Sequence, residues 1–293
     1  MIPVLLAMLA ATPAPTLDAV YAEARRHDRA AFQFAPPCQE KLGRLRALAA
    51  EIVRGLVPGQ PPRALRDRAA AEGLDLGIAR DAAGEVWVLR EAGARREGTG
   101  LYAFRPGGAP LCVQAPHTFF DEGTGPIALE VFAALRAGCL FVNTVHRHTP
   151  SPAGEGLADA AHAERTAYRA MTQGLLEATR WAVVQLHGFA GHEELGADAA
   201  AVVSDGASKR PEGAPAARLR DALSRRMAPA RVLLFGVDAS TLGATTNVEG
   251  ADARKAGVTF LHLELSATTR RRLRDGGAEP LAAALAEALE VKR

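Results

Sequence analysis

Three short stretches hold the side chains best suited to chemistry. "QAPHTFFDEGT" carries His117, Asp121 and Glu122; "VVQLHGFAGH" carries His187 and His192; "FLHLELS" carries His262 and Glu264. All three are strand ends or strand-end regions, the place where open α/β sheets bind ligands. Together they supply two imidazoles, one carboxylate ligand and one spare carboxylate. A hydrolytic zinc site needs that set, because three protein ligands leave the fourth position to water. The metal lowers the pKa of its water and polarises the scissile carbonyl, while a free glutamate moves the proton to the leaving amine.

Each stretch also has a plainer explanation. Helical neighbours are three or four residues apart, so His117 and Glu122, five apart, converge only from a curved loop, for which "EGTG" offers glycines. Asp121 competes with Glu122 for the ligand role, and position alone leaves the choice open. His187 follows a run that a central strand would bury, and Gly188 is expected to let the chain turn there; His192 reads as a surface residue. In "VTFLHLELS" one strand face carries Thr259, Leu261, Leu263 and Leu265, and the other Val258, Phe260, His262, Glu264 and Ser266. A carboxylate on so apolar a strand is costly unless paired or functional. The competing explanation is a salt bridge from Glu264 to Arg270 or Arg271, or exposure on an edge strand.

The elements that must position these residues follow from periodicity. Residues 17–72 read as helical, with Leu42, Leu45, Leu48, Ile52 and Leu56 at helix-like spacing. "LDLGIAR", "EVWVLRE" and "LYAFRP" read as short antiparallel strands. From residue 111, strand-like runs alternate with helical ones such as 126–138, 162–180, 215–227 and 280–293. The pattern predicts an α/β fold, a mostly parallel or mixed central sheet flanked by helices, with an N-terminal helical and short antiparallel β addition. The expected organisation is a signal-like segment at 1–16, a helical segment at 17–72 packed on the rest, and an α/β domain at 73–293.

Bulk properties exclude several classes. The 293 residues are 48% apolar and 23% charged with net charge +2, the balance of a globular chain. Nucleic acid is not expected as a partner, since phosphate neutralisation needs clustered positive charge; the basic run "RRRLRD" at 270–275 reads as a solvated helix face. Cys38, Cys112 and Cys139 lack CxxC spacing, which argues against a cysteine zinc site, although a Cys38–Cys112 bridge is conceivable in an exported protein. The apolar start "MIPVLLAMLAATPAPT" has signal-peptide length and favours export to the periplasm or medium. A short buried helix is the alternative there, and no later stretch has transmembrane length. There is no G-x-S-x-G elbow and no phosphate-binding P-loop.

"VQAPHTFFDEGT", "VVQLHGF" and "FLHLELSATTRRRL", in that order, resemble the N-formylglutamate amidohydrolase and poly-γ-glutamate hydrolase group, which is related in fold to the zinc carboxypeptidases. The segments 143–152, 159–168 and 245–257 share the resemblance, which spans roughly residues 100–275. It implies Zn2+ held by His117, Glu122 and His187, with Glu264 as general base and acid. The activity implied is hydrolysis of an amide or peptide bond in a small acyl-amino-acid or γ-glutamyl-like substrate. Thr118, Phe119 and Phe120 depart from the group's small glycines and leave its specificity open. Arg147 is a candidate for a substrate carboxylate or oxyanion, because guanidinium presents a planar fork of donors; pairing with Asp159 or Glu155 is the alternative. Asn143 and Arg254 are further substrate-binding candidates, and Asp159 and His162 suit an outer-shell or capping role as well as catalysis. The reading from another class is an exported peptide- or cell-wall-binding module that keeps the fold without turnover.

Overall fold

The structure is a computed structural model that describes residues 13–26, 32–93, 97–207 and 214–291. Most of the signal-like segment, residues 1–12, lies outside the described residues. A first helix, α1 (Leu17–Ala24), precedes α2 (Gln39–Arg54) and α3 (Arg63–Ala71). Three strands follow, β1 (Leu74–Asp81), β2 (Gly84–Glu91) and β3 (Leu101–Phe104). The alternating part then runs β4 (Ala109–Ala115), α4 (Thr124–Ala134), β5 (Ala137–Val142), α5 (Ala167–Ala178), β6 (Ala182–Phe189) and β7 (Ala199–Ser204). It ends with α6 (Ala214–Met227), β8 (Arg231–Leu234), α7 (Val248–Lys255), β9 (Phe260–Ser266), α8 (Ala267–Gly276) and α9 (Glu279–Leu289).

Among the described residues the strands form one nine-stranded sheet in the order β1-β2-β3-β5-β4-β6-β9-β7-β8. The β5-β4-β6-β9 centre is parallel, as the strand–helix alternation predicts. The antiparallel β1–β3 stretch extends the same sheet through β3 pairing with β5, and β7 enters antiparallel to β9. The helix expected over 162–180 begins at Ala167, because Thr166 is extended and its side chain caps Arg169 N. That leaves residues 159–165 as turns.

The period-2 reading of β9 matches its packing. Leu261, Leu263 and Leu265 join the core beneath α1, α4, α6, α8 and α9. Each such buried leucine stabilises the fold by about 1.5–3 kcal/mol. Phe260 belongs to the opposite core, beneath α2, α3, α5 and α7.

Strand register arranges that second face in rows. Cys112, Cys139, Val183 and Phe260 lie side by side, then Gln114, Phe141, Gln185 and His262, then His187 and Glu264. Toward the carboxyl ends of the strands, the face thus changes from apolar to amide to ionisable. Cys112 and Cys139 are buried neighbours and Cys38 is exposed; all three are free thiols. No helix among the described residues is long and apolar enough to cross a membrane.

Candidate metal centre

His117 lies two residues beyond the end of β4 at Ala115. Its carbonyl accepts from Phe120 N at 2.9 Å and Asp121 N at 2.7 Å, so residues 117–121 make one helix-like turn, and residues four apart share its side. Gly123, at φ 94°, turns the chain into α4. Thr124 Oγ1 donates to Asp121 O at 2.8 Å. Asp121 Oδ2 thereby reaches 3.5 Å from His117 Nδ1 and 3.4 Å from His187 Nδ1 on β6. These three residues are 1%, 3% and 4% exposed (His117, Asp121, His187). One ligand atom from each lies within 4.8 Å of the others.

Glu122 points elsewhere. Its side chain is 83% exposed, 3.8 Å from Arg274, and only its backbone oxygen faces inward, accepting from Arg270 Nε at 2.8 Å. The carboxylate beside the imidazoles is therefore Asp121, not the expected Glu122. The four-residue spacing from His117 was the signal for it.

Both imidazoles are held at their outer nitrogens. His117 Nε2 lies 2.8 Å from Asp159 Oδ1, and His187 Nε2 lies 3.0 Å from Gln185 Oε1. Asp159 also accepts from Arg147 Nη2 at 2.6 Å and Ala161 N at 3.2 Å, and it contacts His162 Nδ1 at 3.1 Å. An Nε2–H donating outward on each ring would leave both Nδ1 lone pairs facing Asp121 Oδ2. Three converging acceptors with one carboxylate charge fit a divalent cation of borderline softness, with an acceptor behind each ring to orient it.

The ionisation of the cluster follows from burial and neighbours. Burial pushes Asp121 up, but His117 and His187 outweigh it and hold the carboxyl well below the usual range. Asp159 is held down in the same way by His117, His162 and Arg147. Burial disfavours a charged His117, yet Asp121 and Asp159 raise its pKa above the ordinary value. His187 is depressed to about 4, chiefly by burial and only partly offset by Asp121.

Glu264 sits in register beside His187. Burial first, then the Asp121 charge, raises its carboxyl to about 8, and its Oε2 has no hydrogen-bond partner. His262 Nε2 is 3.6 Å from Glu264 Oε1, its ring centroid is 4.6 Å from that of His187, and its Nδ1 is unpartnered. Arg270, one salt-bridge partner in the competing explanation, is occupied elsewhere. Its guanidinium donates to the carbonyls of Glu122, Phe189 and Leu265, tying three chain segments together. Arg270 alone among the charged residues of "RRRLRD" departs from the expected solvated face; Arg271, Arg272, Arg274 and Asp275 are exposed. Gly188 is explained by the same clamp: it lies within β6 rather than at a turn, and a Cβ there would meet Arg270 Nη1 at 2.0 Å.

Arg147 makes the pairing with Asp159 that was its alternative reading. One guanidinium nitrogen binds Asp159, and Nη1 lies 3.4 Å from His117 Nδ1. Its Cζ is 5.3 Å from the ring of Phe120, which stands half exposed between His146 and His148. Asn143 spends its amide on the backbone, donating to Pro116 O at 3.0 Å and Val145 O at 3.1 Å and accepting from Val145 N at 3.3 Å. It braces the His117 turn. Arg254 is exposed on α7 and donates to Asp205 O at 3.4 Å. His192 pairs with Glu194 at 3.0 Å, in keeping with its surface reading. Gln114, Gln185, Asn247 and Glu249, all buried behind His187, escaped the sequence reading. Their signal was a glutamine inside each of the apolar runs of β4 and β6.

No protein-family model and no curated protein matches the chain. Among solved structures it is similar to a bacteriophage poly-gamma-glutamate hydrolase (15% identity, 61% of this chain and 83% of that one, TM-score 0.42). It is also similar to zinc-free apo YNDL (16% identity, 67% and 92%, TM-score 0.45). A third similar structure is the tripeptide-bound cell shape determinant Csd4 of Helicobacter pylori (14% identity, 63% and 52%, TM-score 0.41).

Proposed function

We propose that the chain is a zinc-dependent amidohydrolase in which His117, Asp121 and His187 hold the metal. The observation that carries this reading is the convergence of two Nδ1 atoms and Asp121 Oδ2, with Glu264 in register beside one of the imidazoles. When bound there, zinc would supply a Lewis acid, lower the pKa of a water and favour the ionised form of the nearby Glu264. Glu264 takes the proton from the attacking water and returns it to the leaving amine. Its free Oε2 is available for that transfer. Arg147, half-fixed by Asp159, offers its remaining donors to the developing oxyanion or to a substrate carboxylate. Together with the motif resemblance, this favours an acyl-amino-acid or γ-glutamyl-like amide as substrate. The half-exposed Phe120 lines the approach to Arg147.

The test pairs metal analysis with turnover. The protein purified with zinc should hold about one equivalent and hydrolyse a member of a formyl-, acyl- and γ-glutamyl-amide panel. Glu264→Gln should keep the metal and lose about 10²–10⁴-fold in kcat. Absence of bound metal after zinc is supplied would rule the reading out.

A further inference from the structure

Behind His187 lies a buried chain of neutral polar groups that takes no part in the proposed reaction, and its polarity is forced from both ends. At one end, Thr172 Oγ1 donates its only proton to Tyr168 O within α5, at 3.1 Å. The hydroxyl can then only accept from Gln114, whose Nε2 lies at 3.0 Å. That turns Gln114 Oε1 toward Gln185, whose Nε2 donates to it at 3.0 Å and to Glu249 Oε2 at 3.3 Å. Gln185 must therefore present its oxygen to His187.

The other end imposes the same direction. Asn247 caps α7, its Oδ1 accepting from Gly250 N at 2.8 Å. Its Nδ2 is left to donate to Gln185 Oε1 at 2.7 Å. Two helices thus fix one amide orientation by separate routes. The flipped amide would set oxygen against oxygen at Gln114 and nitrogen against nitrogen at Asn247. Either mismatch would leave polar groups unpaired in a site closed to water, where nothing else can satisfy them.

We infer that Gln185 is a positioning residue that fixes His187 as the Nε2–H tautomer and so turns its Nδ1 lone pair toward Asp121. The inference rests on the metal-centre reading for its functional sense, but the tautomer itself is a property of the metal-free protein. His117 has a carboxylate behind it, which serves whether the ring is neutral or charged. His187 has a neutral amide in a fully buried row, so hydrogen-bond direction replaces charge as the means of control.

The experiment uses the full chain with 15N-labelled histidine. The His187 tautomer is read by NMR without metal, and zinc affinity by competition with a chromophoric chelator. In the unaltered chain His187 should carry its proton on Nε2; a proton on Nδ1 overturns the inference. Gln185→Leu should lose the single tautomer and weaken zinc binding by about 10–100-fold. A folded Gln185→Leu that keeps both the tautomer and the affinity overturns it. Gln185→Glu guards against a leucine variant that fails to fold, since a glutamate in either protonation state keeps an acceptor for His187. It should retain the Nε2–H tautomer and bind zinc within about threefold of the unaltered chain, whereas a loss beyond about tenfold would mark a merely structural role and overturn the inference. If the unaltered chain shows the expected tautomer yet binds no zinc, the metal reading fails and takes the proposed role of Gln185 with it. If it binds zinc with the other tautomer, the inference alone fails.

Discussion

The two sides of the candidate centre hold their imidazoles by different physics. On the loop side, His117 stands between two carboxylates, Asp121 and Asp159, and Asp159 is itself gripped by Arg147. On the strand side, His187 is backed by Gln185 in a row of buried amides. The loop side meets solvent at His162 and Arg147, where charges keep much of their hydration. The strand side is fully enclosed, where an unpaired charge would be costly. Burial therefore selects which device orients a ring: ion pairs near the surface, directional neutral hydrogen bonds in the core.

Breaking the shared member should have the largest effect. Asp121→Ala removes the carboxylate common to both imidazoles, and the expected result is loss of stoichiometric zinc by elemental analysis. The loss should exceed that of any outer-partner change. Retained zinc would dissolve the link between the two sides.

Asp159→Asn tests the loop side alone. It should weaken zinc binding by about 10–100-fold, measured by chelator competition, with the His187 tautomer unchanged. The pH dependence sharpens the contrast further. Protons compete with metal for Nδ1, and His117 has a raised pKa whereas His187 titrates only near 4. Zinc affinity should therefore fall by up to about tenfold per pH unit on acidification just below the His117 value, and more steeply only near pH 4. In Asp159→Asn the first fall should begin at lower pH, because the carboxylate that raises His117 is gone. An onset that stays in place would detach Asp159 from this control.

The strand side makes its own pH prediction. Glu249 is raised from 4.5 to about 8, mainly by burial. Between these values the folded state holds a proton that the unfolded state has lost. Its contribution therefore lowers stability as pH rises, by up to about 1.4 kcal/mol per unit. Urea melts of Glu249→Gln between pH 5 and 8 should show a shallower decline than the unaltered chain; an equal slope would remove Glu249 from that linkage. The smallest effect belongs to Glu122→Ala. Its exposed side chain predicts unchanged zinc affinity and a stability change within about 0.5 kcal/mol. Loss of metal in that variant would restore the sequence-based ligand assignment and overturn the geometric one.

The sequence by itself determined the α/β class, the facing of β9 and the candidates His117, Asp121, His187, His262 and Glu264 that gather at the strand ends. These follow from local periodicity: alternation along a strand assigns each residue to a face wherever the strand lies. Tertiary structure decided between Asp121 and Glu122, because a one-residue difference in a turn sends one carboxylate inward and its neighbour to solvent. It also turned Arg270 from an expected surface charge into a clamp over Gly188, and Asn143 from a substrate candidate into a brace. The amide row behind His187 was visible as glutamines in apolar strands, but its direction was not. That direction comes from a helix carbonyl and a helix cap far away in sequence, whose demands meet at Gln185 only when the sheet and its helices pack.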